Sequence, residues 1–382
     1  MSILFWFLLA LIVYVYAGYP LLLAAARALA GARTAARASI EPSVTLIVSA
    51  FNEEGVIGEK IENCLALDYP PERLEVIVVS DASEDRTDEV VGRYASRGVA
   101  LLRMAQRSGK TLGLNAALER ARGEVIVFSD ANAIYGRDVI RKLVRNFADP
   151  RVGAAIGQST YVPPEVESER SEGLYWRYES AIKKLESDVG SVVGGDGAIY
   201  AVRRPLYVPM RADALSDFVN PLQIVRSGHR CIYEPEARSY ERAADNFEKE
   251  FRRKVRIVNR AWRALFGMSG LLNPLRYGFF ACELISHKLL RWLVPVFLTA
   301  LFAVNWALLR DGSVYRALLA GQIAFYLLAA AGYGARRARA LPAVLSIPYY
   351  FCLVNLASAI GIIDAFRGKT YVTWTTARGR QG

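Results

Sequence analysis

Val44-Thr-Leu-Ile-Val-Ser-Ala50 runs into Phe51-Asn-Glu-Glu54, and Leu74-Glu-Val-Ile-Val-Val-Ser80 runs into Asp81. Both are short apolar runs rich in β-branched residues, and each stops abruptly at acid or amide side chains. Continuous rather than alternating hydrophobicity marks strands covered on both faces, as in a parallel sheet. The intervening segments support that reading. Helices are expected near 56–67, 87–96 and 111–122, a short strand at Val99–Arg103, and a further strand at Glu124-Val-Ile-Val-Phe-Ser129 ending in Asp130. Strands alternating with helices imply a Rossmann-like, mainly parallel α/β sheet. Ligands of such sheets bind beyond the carboxyl ends of the strands. Here those ends carry Asn52-Glu53-Glu54, Asp81 and Asp130-Ala-Asn132.

The ends of the chain differ from this middle. Of 382 residues 53% are hydrophobic, and the excess gathers at the two termini. Ile3 to Leu29 is apolar enough to cross a bilayer of about 30 Å. Basic residues stand at its end and beyond it (Arg27, Arg33, Arg37) and none precede it, the reverse of a cleavable signal. This predicts an uncleaved anchor with the following domain in the cytosol. The net charge of +11 is placed at the borders of apolar segments. That placement suits an anionic membrane surface, and no nucleic-acid module is present. Cys64, Cys231, Cys282 and Cys352 lie far apart and suggest neither a zinc site nor a disulfide framework.

Phe247, Phe251, Val255, Val258, Trp262 and Leu265 recur at helical steps, and Arg252, Arg256, Arg260 and Arg263 recur on another face. Such a helix is expected to lie in the membrane interface. Leu289–Leu309 and Val314–Tyr333 read as a transmembrane hairpin. Ala343–Phe366, with Pro348, Asn355, Ser358 and Asp364, reads as a segment lying along or dipping into the membrane, which keeps the basic tail cytosolic. The expected division is an anchor and linker at 1–40, a catalytic domain at 41–245, interface helices at 246–282, transmembrane helices at 283–366 and a basic tail at 367–382.

The ordered set Ser49-Ala-Phe-Asn-Glu-Glu54, Ser80-Asp81, Gly109-Lys110-Thr-Leu-Gly-Leu-Asn115, Asp130-Ala-Asn132, Gly194-Gly-Asp-Gly-Ala-Ile-Tyr-Ala-Val-Arg203, Asp217-Phe218 and Tyr233-Glu-Pro-Glu-Ala237 resembles the family 2 glycosyltransferases over nearly the whole chain. The flanking membrane segments are similar to the hyaluronan, chitin and cellulose synthase branch. The resemblance implies a GT-A-like catalytic domain with transmembrane and interface helices, an inverting transfer, and a multi-pass inner-membrane location with the catalytic domain cytosolic. It also implies a UDP-sugar donor and a polysaccharide acceptor. Transfer of one sugar to a lipid or lipid-linked acceptor is the alternative within the class, and a non-catalytic membrane scaffold the alternative outside it.

The resemblance also assigns roles. Ala50, Asn52, Glu53, Asp81, Lys110 and Asp130 are expected at the nucleotide, with Asp81 holding the base and Lys110 approaching the donor. Asp130 and Asn132 match the metal-binding acidic pair, with an amide in place of the second carboxylate. Mg²⁺ or Mn²⁺ takes such oxygen ligands together with a diphosphate. Asp217 matches the general base, which accepts the acceptor hydroxyl's proton; the plainer alternative is a helix cap before Phe218. Arg253 and Arg256 fall on the family's diphosphate-binding Gln-x-x-Arg-Trp motif, of which only the arginine at 256 is kept. Trp374 and Arg378 fall on a Trp-Gly-Thr-Arg-like tail. Gly109-Lys110-Thr111 is no P-loop, because Met104 stands where a glycine is required. His229 and His287 read as structural.

Overall fold

The computed structural model describes residues 1–162, 169–242, 247–336 and 341–373. One eight-stranded sheet organises residues 44–242. Its strands are β1 (Val44–Ala50), β2 (Leu74–Ser80), β3 (Val99–Arg103), β4 (Val125–Asp130), β5 (Ile134–Tyr135), β6 (Val152–Val162), β7 (Ile199–Arg203) and β8 (Arg230–Arg242). The spatial order is β3-β2-β1-β4-β7-β6-β8-β5. The first four are mutually parallel, while β7 runs antiparallel to both β4 and β6.

The predicted parallel half is therefore present. All seven residues of β1 are buried, as a strand covered on both faces requires. Leu46 and Val48 pack with Ile57, Ile61 and Cys64 of the helix Ile57–Leu65 on one side. Ile47, Val79 and Phe128 pack with Leu114 and Ala117 of the helix Lys110–Arg120 on the other. Register then aligns the functional ends: Ala50 pairs with Ser80 and Ser49 with Asp130. The acid and amide residues that terminate these strands thus emerge at one level.

Among the described residues, four helical runs are long and apolar enough to cross a membrane: Ser2–Ala30, Phe279–Ala307, Ser313–Gly334 and Ala343–Phe366. The helix Phe247–Gly267 forms as the periodicity predicts, but its apolar stripe is covered by protein. Val258, Trp262 and Leu265 join Phe218, Trp292 and Ile362 in one core cluster. Helix Ala343–Phe366 runs alongside it, with the Phe247 and Tyr349 rings 5.1 Å apart and Trp262 5.9 Å from Phe366. Between these points a Cβ on Gly361 would stand 2.8 Å from the Val255 carbonyl oxygen, so only glycine permits the approach. The expectation that this stripe faces the bilayer is therefore corrected. Amphipathic spacing identifies an apolar face without saying whether lipid or another helix covers it.

Candidate active site

The loop after β1 is built as a clamp. Asn52 adopts a positive φ of 53°. Its Oδ1 accepts from the Glu84 amide at 2.8 Å, and its own amide donates to Ser83 Oγ at 3.1 Å. The Glu53 amide donates to Thr87 Oγ1 at 2.8 Å. These bonds fix the ends of β1 and β2 against each other, with Ala50 buried beneath them. The Arg107 guanidinium lies 3.8 Å above the Phe51 ring and adds a flat surface to this wall.

Asp81 sits at the end of β2, almost wholly buried. Its carboxylate accepts from the amides of Ser108 at 2.7 Å and Gly109 at 2.9 Å. A carboxylate has room for further donors. The position suits the expected base contact, and Asp81 additionally pins the loop that delivers Lys110. Gly109 is obligatory there. Its φ is +89°, and a Cβ would lie 2.5 Å from the carbonyl oxygen of Val372. The segment following helix Ala343–Phe366 thus lies on the loop beside Asp81. Trp374 and Arg378, the expected tail residues, lie outside the described residues.

Lys110 Nζ forms an ion pair with Asp130 Oδ1 and donates to the Gly197 carbonyl at 3.0 Å. A Cβ placed on Gly197 would stand 3.3 Å from Asp217 Oδ2 and 3.6 Å from Lys110 Nζ. Lys110, Asp130, Asp217 and the Gly194–Gly197 loop therefore meet in one place. Its glycines let the loop approach so closely: Gly195 N donates to the Asp217 carbonyl at 2.6 Å, and a Cβ there would stand 2.7 Å from that oxygen. Asp217 lies in the first turn of helix Ser216–Arg226, whose cap is Leu215 with no side-chain bond, so the cap alternative fails. Burial pushes the Asp217 carboxyl above its ordinary range, Asp196 adds to the rise, and Lys110 and Arg260 oppose it. A carboxylate so placed is a stronger base than a solvated one.

The arginine helix meets this cluster. Arg256 is half-buried and makes no hydrogen bond or ion pair among the described residues. Burial and Arg253 lower its pKa, while Asp130 and Asp217 hold it up, which places its charge toward both acids. Arg253 is instead engaged by Glu250 at 2.7 Å and 3.2 Å. The two expected arginines are thus separated in kind: one is committed locally and the other faces the site.

None of Lys60, Asp196, Glu241 and Arg260 is among the site residues expected from the sequence. Lys60, fully buried, donates to the Ala133 carbonyl at 2.5 Å and lies 3.7 Å over the Tyr135 ring, which fastens the turn after Asp130. Asp196 accepts from Ser159 Oγ at 2.8 Å, and the same hydroxyl reaches Glu241 at 3.2 Å. Burial first, then Asp196 and Asp130, push Glu241 up to about 7. Arg260 donates to Thr111 Oγ1 at 3.0 Å and to the Ala214 carbonyl. Asp196 carries a signal, its place between the glycines of the Gly194–Gly197 loop, and Arg260 another, its place in the arginine repeat of helix Phe247–Gly267. Asn115, as expected of a loop anchor, holds the Met210 backbone with both ends of its amide. His287 bridges Glu179 and Glu186, and His229 bonds Ser227, both structural roles.

The donor set suits a hard cation shared with a substrate. Asp130 already holds a cation, the Lys110 ammonium, and Asn132 is exposed beside it. No group of three or more acid, histidine or cysteine side chains forms a complete cage among the described residues. Such a partial set is what Mg²⁺ uses when phosphate supplies the remaining ligands.

Residues 45–204 match the family profile described as Glycosyl transferase family 2. A beta-monoglucosyldiacylglycerol synthase of Synechocystis sp. is 38% identical over 117 residues, covering 30% of this chain and 24% of that protein. An N-acetylglucosaminyltransferase of Bradyrhizobium diazoefficiens is 24% identical over 342 residues, 82% of this chain and 68% of that protein. The chain spans about a quarter of the length of the curated relatives it first matches, 24%, 29% and 25%. A mannosyltransferase from Pyrobaculum calidifontis, solved in complex with GDP-Man and Mn²⁺, shares the fold at a TM-score of 0.74 and 24% identity, over 96% of this chain and 99% of that one. Residues 45–204 are thus a family 2 glycosyltransferase domain, built on a GT-A-like fold.

Proposed function

We propose that the chain is an inverting glycosyltransferase that moves a sugar from a UDP-sugar to a growing polysaccharide at the cytosolic face of the inner membrane. The observation that carries this reading is the meeting of Lys110, Asp130, Asp217 and an unpaired Arg256 at the carboxyl ends of the strands. Cations for a diphosphate and a half-buried carboxylate for a hydroxyl proton are the two requirements of inverting transfer.

Asp81 and the Asn52–Glu53 clamp would seat the nucleoside. Lys110 would leave Asp130 for the diphosphate, and Arg256 would supply a forked cation to the same group. Asp130 and Asn132 would hold Mg²⁺ or Mn²⁺, whose chemistry there is charge compensation of the leaving diphosphate. Asp217 would take the proton from the acceptor hydroxyl as it attacks the anomeric carbon from the face opposite the departing diphosphate. The four apolar helical runs would seat the chain in the bilayer, with the divisions at 1–40, 41–245, 246–282, 283–366 and 367–382.

A second reading, one sugar added to a lipid or lipid-linked acceptor, is favoured by the altered Gln-x-x-Arg-Trp segment. The name of the Synechocystis relative points the same way. Radiolabelled UDP-sugars supplied to detergent-purified enzyme separate the two by product size. High-molecular-mass product is expected. A single lipid-extractable product would select the second reading, and label that never leaves the donor would sink both.

A further inference from the structure

We propose that the cleft between helices Ser216–Arg226 and Phe247–Gly267 binds the phosphate headgroup of an anionic phospholipid. This rests on the reading of the chain as membrane-seated.

The cleft measures about 420 Å³ and is walled by Arg211, Arg226, Arg260 and Arg263, with Asp213 the one acid in its lining. Asp213 is shared, at 3.1 Å from Arg211 and 3.2 Å from Arg263. One carboxylate thus faces four guanidinium groups, and the local excess is cationic. Arg226 is exposed and has no hydrogen-bond or ion-pair partner among the described residues. Arg263 Nε and Gln223 Oε1 also lack partners among the described residues, but both are closed to solvent and do not open into the cleft. A cleft that gathers four guanidinium groups around one carboxylate, one of them exposed and unpartnered among the described residues, is shaped for an anionic ligand. Guanidinium groups match phosphate oxygens in forked geometry.

The surroundings choose the source of that phosphate. Met210, Val219, Ala264 and Met268 give the cleft apolar walls. Exposed Val208 and Phe266 each precede a lining residue, Pro209 and Gly267. A soluble phosphate has no use for that rim, whereas a glycerol backbone and its acyl chains do. Cationic side chains beside apolar ones at a membrane surface are the usual headgroup arrangement.

The site would also bear on the transfer reaction. Arg260 forms one wall and holds Thr111 and the Ala214 carbonyl, next to Lys110 and three residues before Asp217. A headgroup in the cleft would add a partner to the wall that fixes both.

The test uses the full chain in neutral detergent, comparing thermal unfolding in mixed micelles of phosphatidylglycerol, of phosphatidylcholine, and with inorganic phosphate at equal concentration. Retained lipid is counted by native mass spectrometry. Phosphatidylglycerol alone should raise the unfolding midpoint. Each arginine beside an anionic headgroup contributes a factor of about five, so Arg226→Gln should weaken phosphatidylglycerol retention about fivefold and Arg226→Gln with Arg263→Gln about 30-fold. Arg226 has no partner to lose among the described residues, so the single variant stays informative if the double one misfolds. Equal stabilisation by both lipids, unchanged retention in Arg226→Gln, or an equal shift from inorganic phosphate would each overturn the proposal. Recovery of the chain without detergent would instead refute the membrane seating on which it rests.

Discussion

Replacing Arg256 with alanine separates a charge held for substrate from a charge held for the fold. In the structure Arg256 makes no hydrogen bond or ion pair among the described residues, and burial already works against its ionised form. Truncation therefore forfeits no bond, and the unfolding midpoint should stay within a degree or two of wild type or rise. On donor binding the guanidinium would gain charge-assisted bonds to phosphate oxygens, each worth about 1.5–3 kcal/mol. One such bond corresponds to a loss of about 10- to 150-fold in kcat/KM. Arg253 gives the internal contrast, because its fork is spent on Glu250 at 2.7 Å. Arg253→Ala should cost less activity and more stability. Arg256→Lys should recover only part of the loss, since an ammonium cannot make the forked contact. The assay is release of nucleoside diphosphate by detergent-purified enzyme, with thermal unfolding in parallel. Arg256→Ala within twofold of wild type, in a protein that unfolds normally, would refute the reasoning.

Asp217→Asn should lower turnover by about 10²- to 10⁴-fold with donor affinity nearly intact, measured by donor titration beside turnover. In the wild type, a general base whose pKa is raised by burial makes the rate fall as pH drops through that raised value, and Asp217→Asn should remove this acid limb. Excess chelator should abolish turnover and added Mg²⁺ or Mn²⁺ restore it, whereas full activity in chelator would discard the metal role of Asp130. Glu241 is pushed up to about 7 by burial and by Asp196 and Asp130, so the fold holds a proton there that the unfolded chain releases near pH 4.5. Its protonation stabilises the fold below that range, and the benefit fades as pH rises from about 4.5 to 7. Glu241→Gln should flatten this slope in thermal unfolding measured from pH 5 to 8.

The parallel half of the sheet could be read from the sequence because β1, β2 and β4 are buried on both faces and end in polar residues. β6, β7 and β8 were not read as strands. Ala155, Ile156, Tyr200 and Ala201 pair only after the chain has folded back, and no local pattern announces that. Asp81, Lys110, Asp130 and Asp217 were found because each sits in a motif. Lys60 and Glu241 were not, because an isolated lysine in a helix and a glutamate late in a strand look like surface residues. What makes them matter is tertiary burial. Arg253 and Arg256 fall on one motif, but Glu250 divides them, occupying Arg253 while Arg256 stays unpaired among the described residues. Likewise Asp364 looked like an obstacle to a membrane segment, yet it accepts from Tyr371 at 2.6 Å and Lys369 at 3.0 Å and so ties down the chain that leads to Gly109.

The contact of Val372 with Gly109 sets a condition on biosynthesis. The loop bearing Lys110 leaves the ribosome early, with the first strands, while the segment that covers it follows the helix Ala343–Phe366. Domains fold largely in order of synthesis, so a nascent chain can complete its sheet while this loop lacks its neighbour. The roof over the loop arrives only once that helix has docked along Phe247–Gly267. Docking of helix Ala343–Phe366 thereby becomes a checkpoint: a chain stalled before that helix would have the parallel sheet but not the covered Lys110 loop.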